Sequence, residues 1–135
     1  MLGNFTDWLR HLARRRHWQA DHALGRRGED LAHRFLRREG FVIVARNYRL
    51  ASGDGEADII AWERDTLVIV EVKSRRSAEF GPPERAIDAQ KREHLRRIAR
   101  QYARRAGIEN GPVRYDLVTV IFSRPPQVQL WRDGL

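Results

Sequence analysis

Apolar and polar residues recur along this chain with two different periods, and each change of period marks a new element. Leu24, Gly28, Leu31, Ala32, Phe35 and Leu36 fall at helical spacing and predict a helix over about 24–39 that buries one side, with Gly40 as its left-handed stop. Phe41 to about Leu50 then reads as a first strand, and Ala51-Ser52-Gly53-Asp54-Gly55 as the turn out of it. Glu56–Trp62 and Leu67–Lys73 are two further strands. The second is apolar at odd and even positions through Val70, which is the pattern of a strand covered on both faces. Glu84–Ala106 predicts a long helix, closed by Gly107, with Ile87, Leu95, Ile98, Ala99, Tyr102 and Ala103 facing inward. Val113–Phe122 is another central strand, and Val128–Trp131 a short last one. Helix, three strands, helix, strand and small strand predict an α/β fold, a mixed sheet flanked by helices. The long helix would cross over so that Val113–Phe122 runs parallel to a hairpin strand.

The polar link Glu63-Arg64-Asp65-Thr66 joins the second and third strands. A turn centred on Arg64-Asp65 sets Trp62 opposite Leu67, Ile60 opposite Ile69 and Asp58 opposite Glu71, while Glu71 and Lys73 share one face. Like charges directly across a ladder are destabilising, so a divalent cation beside Lys73 is an economical way to hold the two carboxylates together. A three-residue loop would instead send Asp58 to the other face. The plain alternative has Asp58 supporting the Gly53-Asp54-Gly55 turn while Glu71 pairs with Lys73. Glu29 borders the apolar side of the first helix, either as a solvated flank or as a third carboxylate lent to the sheet. Arg114 and Asp116 share a face and are expected to pair with each other.

The 135 residues suit one domain with a single core. No apolar run approaches the ~20 residues that span a bilayer, and no secretory signal is legible, so a cytoplasmic location is the default expectation. The absence of Cys excludes disulfides and thiolate chemistry. The five His lack ligand spacing for zinc, and no Gly-rich phosphate loop serves nucleotide hydrolysis. A net charge of +8 points to an anionic polymer as partner. Arg supplies 24 of the 26 basic residues, which makes the two lysines, Lys73 and Lys91, conspicuous. Lys91 lies on the inner stripe of the second helix, either snorkelling outward or leaning over the sheet toward a substrate phosphate. Arg75 and Arg76 open the loop Ser74–Pro83 beside Lys73, and Arg92, Arg96, Arg97, Arg100, Arg104 and Arg105 line the outer face of the long helix. Arg75, Arg76, Lys91, Arg96, Arg97, Arg100 and Arg104 are thus the candidate contacts to a nucleic-acid backbone. Residues 1–22, with Phe5, Trp8, Leu9 and Leu12 at helical spacing and Arg14-Arg15-Arg16 after them, read as a basic amphipathic extension to a domain of residues 23–135. Such a segment serves as a membrane-surface or nucleic-acid arm, packs on the domain, or stays disordered.

An acid on a helix, then Asp58 and, across a hairpin, Glu71-Val72-Lys73 resembles the PD-(D/E)XK signature of the restriction-endonuclease-like superfamily. More narrowly, Gly25-x-x-Gly28-Glu29-x-x-Ala32, Arg46-Asn47-Tyr48-Arg49, Gly55-Glu56-Ala57-Asp58-Ile59-Ile60, Glu71-Val72-Lys73-Ser74-Arg75, Phe80-Gly81, Lys91 and Arg114-Tyr115-Asp116 resemble the small bacterial YraN family of endonuclease-like proteins. The resemblance implies a restriction-endonuclease-like core of order α-β-β-β-α-β plus a short final strand. It also implies Asp58 and Glu71 as metal ligands, Lys73 as the cation that orients the nucleophile, and Glu29 as an auxiliary ligand or water-holder. Ala57 stands where the signature has Pro. The expectation is a Mg²⁺- or Mn²⁺-dependent endonuclease acting on DNA, including branched or junction DNA. The alternative is a basic nucleic-acid- or partner-binding module on the same fold that cleaves slowly or not at all.

Overall fold

The computed structural model describes residues 23–77 and 88–135. The expected extension over residues 1–22 and the expected first turn of the long helix at residues 84–87 lie outside the described residues. A helix, α1, covers residues 23–38. It ends on Gly40 at φ 95°, where Gly40 N–H donates to Arg37 O (3.1 Å) and Phe41 N–H to Leu36 O (2.9 Å). These two bonds make a Schellman stop, and Phe41 and Leu36 pack in the same apolar cluster. The strands β1 (Val42–Arg49), β2 (Glu56–Glu63) and β3 (Thr66–Arg75) follow, then the helix α2 (Ala89–Ala106), β4 (Val113–Ile121) and β5 (Gln127–Trp131).

The five strands form one mixed sheet in the order β1-β2-β3-β4-β5. All neighbours are antiparallel except β3 and β4, which run parallel because α2 carries the chain back between them. Val68 and Val70 of β3 pack with Ala32 and Leu36 of α1, whereas Leu67 and Ile69 pack with Leu95, Ile98 and Ala99 of α2. The sheet is therefore covered by one helix on each face, and β3 is buried on both sides as its unbroken apolar run requires.

Two boundaries differ from expectation. The β3 strand runs two residues further, through Arg75, because the parallel ladder continues to Arg75↔Ile121 and Phe122 N–H donates to Arg75 O (2.9 Å). Ser74 and Arg75 are thus strand rather than loop. The α2 helix is capped at Asp88, inside the expected span, since Asp88 stands in extended geometry and its side chain accepts the Lys91 N–H at 2.8 Å. The edge strand β1 carries an irregularity between Ile43 and Ala45 that leaves Val44 unpaired and shifts its register against β2 by one residue.

Candidate active site

The β2–β3 hairpin turns on Arg64-Asp65, with Arg64 at φ 54°, as a tight two-residue connection demands. Trp62 faces Leu67, Ile60 faces Ile69, and Ile59 faces Val70, so the expected register holds. The ladder then stops. The next pair would set the Asp58 and Glu71 carboxylates against each other, and the two strands part there. Asp58 Oδ2 instead accepts the Val72 N–H at 2.7 Å, bridging the fork with a side chain. Meanwhile β2 stays paired with β1 as far as Arg49↔Glu56. Opposite Asp58 on that side, Asn47 takes φ 51°, a conformation Asn tolerates better than most residues.

Glu71 follows the α2-facing parity of Leu67 and Ile69 and is 5% exposed. Its partner is Lys91, from the first turn of α2, whose Nζ lies 3.4 Å from Glu71 Oε1 and donates to Glu56 O at 2.9 Å. Glu71 Oε2 is buried with no hydrogen-bond partner. Lys73, on the same face, forms no ion pair or hydrogen bond among the described residues, so the plain alternative in which Glu71 pairs with Lys73 is not realised. Its charge still acts on both acids. Burial raises the Asp58 carboxyl, against the Val72 hydrogen bond and the two lysines. Burial, and then the Asp58 charge, push Glu71 up to about 7, opposed by Lys91 and Lys73.

A raised carboxylate carries a defined sign. Between the ordinary value of 4.5 and about 7 the folded protein holds a proton that the unfolded chain has lost, so stability falls as pH rises through that window. Melting followed in chelator from mildly acidic to mildly alkaline buffer is expected to show this decline in the parent. Glu71→Gln, which cannot ionise, should flatten it and melt higher at the alkaline end. An equally steep decline in the variant would remove Glu71 as its source.

Glu29, on α1, is close enough for the Asp58 charge to reinforce the burial that raises its carboxyl. It sits 3.6 Å from Arg46, which also binds Asp30 at 2.9 Å. With its amide nitrogen turned toward both acids, Asn47 donates to Glu29 Oε2 (3.2 Å) and Glu56 Oε1 (3.0 Å). Arg46, Asn47 and Glu56 entered the sequence reading only as parts of the motifs that carry the resemblance, with no site role assigned to them. An Asn inside a strand, against strand propensity, was the available signal. Gly28 permits the approach of α1: a Cβ there would fall 1.7 Å from Ser74 Oγ and 2.9 Å from Ser74 Cβ.

The structure thus gathers Asp58, Glu71, Lys73 and Lys91 at the C-terminal end of β3, with Glu29 beside them. Among the described residues no group of three or more His, Cys, Asp or Glu side chains is placed to hold a metal ion. The arginines of α2 are elsewhere. Arg96, Arg97 and Arg100 gather around Glu93 at 3.3–3.8 Å, and Arg105 donates to Tyr48 Oη at 3.2 Å. Arg104 lies exposed in the last turn of the helix, Arg75 is half-buried at the end of β3, and Arg76 is exposed. No helix among the described residues is long and apolar enough to cross a membrane.

Residues 28–120 match the family model described as uncharacterised protein family UPF0102. Relatives bearing that family name include a protein of Solibacter usitatus, 50% identical over 121 residues that make up 90% of this chain and 89% of its own. One from Koribacter versatilis is 47% identical over 111 residues, 82% of this chain and 77% of the relative. One from Rhodococcus jostii is 44% identical over 108 residues, 80% and 90% respectively. The matched span contains Glu29, Asp58, Glu71, Lys73 and Lys91.

Proposed function

This chain belongs to the UPF0102 family, the YraN-like group, and we propose from its site that it is a metal-dependent nuclease that hydrolyses phosphodiester bonds of DNA on a restriction-endonuclease-like fold. The observation that carries the reading is the buried, unpartnered Glu71 Oε2 beside Asp58. A buried carboxylate oxygen with nothing to accept from is costly, and a cation is what completes it. Both donors are hard oxygens, which suits Mg²⁺ or Mn²⁺ and disfavours softer ions.

Asp58 and Glu71 would hold the ion, with Glu29 as an outer carboxylate. A bound Mg²⁺ or Mn²⁺ supplies Lewis-acid polarisation of the phosphate and a lowered pKa for the attacking water. The chain's own residues do the rest. Val72 N–H and Lys91 Nζ each fix one oxygen of the two acids, Oδ2 of Asp58 and Oε1 of Glu71, so the carboxylates are oriented before substrate arrives. Lys73, with no partner among the described residues, keeps its ammonium for the negative charge that grows on the phosphate oxygens. Lys91 is committed to Glu71 and Glu56 and acts on the acids rather than on phosphate.

The test is a panel of linear duplex, flap, single-stranded and four-way-junction DNA, incubated with highly purified protein in Mg²⁺, in Mn²⁺ and in EDTA. Nicks that need the metal and vanish in Lys73→Met are expected. The second reading, a binding module that does not cleave, draws on the acidic cluster, which among the described residues stops short of three converging ligands. It takes over if every substrate stays intact while binding persists.

A further inference from the structure

The end of the sheet that holds the acidic site carries a separate charged surface on its α1 side. Because Gly28 lays α1 directly on Ser74, the guanidinium of Arg27 comes to rest over the ring of Phe122, 5.1 Å from its centroid. Phe122 is in turn tied to the end of β3 by its N–H, which donates to Arg75 O at 2.9 Å. Arg76 follows Arg75, and Arg124 stands two residues beyond Phe122. Arg27, Arg76 and Arg124 are all exposed. No acidic residue occurs in segments 26–28, 74–77 or 121–126. None of the three arginines enters an ion pair among the described residues. A guanidinium stacked by its face keeps its in-plane N–H donors, the geometry that binds phosphate.

The arginine stripe of α2 differs on both counts. Three of its members share Glu93. The helix also leaves the site: Lys91 touches Glu71, whereas Arg104 stands 13 residues later, about 20 Å along the axis at 1.5 Å per residue. Just past its end, Pro112 O accepts from Leu67 N–H at the opposite end of β3.

We propose that the rim formed by Arg27 on Phe122, Arg76 and Arg124 is the surface on which the sugar–phosphate backbone of DNA lies when it reaches Asp58, Glu71 and Lys73, and that the α2 stripe contributes little. The inference rests on the DNA reading above. The rim touches phosphate, so binding there is salt-sensitive and indifferent to base sequence.

The full chain is titrated into fluorescently labelled duplex DNA in EDTA over a series of salt concentrations, with anisotropy as the readout. Parent, Arg27→Glu/Arg124→Glu, the milder Arg27→Gln/Arg124→Gln and Arg100→Glu/Arg104→Glu are compared, with circular dichroism melts verifying folding. Either rim variant is expected to weaken binding about tenfold or more and to lower the log–log salt slope by about 2, one unit for each phosphate that is no longer neutralised, while the α2 variant stays within about twofold. Phe122→Leu, which keeps an apolar side chain but removes the ring under Arg27, is expected to weaken binding about threefold. Folded rim variants that bind as the parent does, or an α2 variant that loses as much as they do, overturn the proposed surface and leave the nuclease reading standing. A parent that binds no DNA at any salt overturns both.

Discussion

Asp58→Asn is expected to abolish metal-dependent nicking, by more than about 100-fold, the scale on which one preorganised electrostatic group acts, while the folded protein keeps its stability. The two effects separate because Asp58 has two duties. Its charge serves the proposed ion, and its Oδ2 accepts the Val72 N–H at 2.7 Å where the ladder has opened. Asn retains a carbonyl oxygen for that bond and relieves the repulsion that raises the Glu71 carboxyl. Ala does neither. Asp58→Ala should lose the same activity and also strand a strand N–H, costing roughly 1–3 kcal/mol. Urea unfolding in chelator separates the pair, and Mn²⁺ should then raise the melting temperature of the parent alone, since only a folded state that binds the ion gains by mass action. Full nicking by a folded Asp58→Asn protein would end the catalytic assignment.

Arg114→Leu is expected to have the largest effect on stability, about 3–5 kcal/mol, because it leaves the charge of Asp116 buried without its counter-ion. Asp116 is completely buried. Arg114 binds both its oxygens, at 2.8 and 2.7 Å, and reaches Glu63 at 2.7 Å, while Asp133 N–H donates to Asp116 Oδ1 at 2.8 Å. This network ties the hairpin end, β4 and the C-terminal residues together at the end of the sheet away from the site. Arg132, on its exposed edge, also binds Glu63, and Arg132→Ala should cost only about 0–1 kcal/mol, as exposed pairs do. Denaturant midpoints for the two variants test the contrast. Hydrogen bonds from Arg132, and then Arg114, hold the Glu63 carboxyl down to about 2. A depressed carboxyl stabilises above its unfolded value, and the network's contribution should therefore be lost as pH falls from about 4.5 toward about 2. Comparable losses from Arg114→Leu and Arg132→Ala would show that burial of Asp116 does not set the cost.

The amino-acid sequence by itself determined the elements, their order and the hairpin register. These follow from local rules: the period of a helix or strand, a two-residue turn, and an apolar run long enough to be covered on both faces. For the same reason it placed Glu71 and Lys73 on one face and paired Arg114 with Asp116, since side chains two apart on a strand point the same way. Partners drawn from different elements were settled only by tertiary structure. Which lysine meets Glu71 depends on how α2 is rotated and set over the sheet, and that rotation brings Lys91 to Oε1 and leaves Lys73 without a partner among the described residues. Where the hairpin opens was likewise not a matter of period. The strands part at Asp58 because two buried like charges cannot be held face to face, and the Val72 N–H offers the Asp58 carboxylate a better place. The seating of Glu29 between Arg46 and Asn47, and of Arg27 on Phe122, required α1 to lie on β3 at Gly28, against a Ser74 that stands 46 positions away and that no periodicity connects to it.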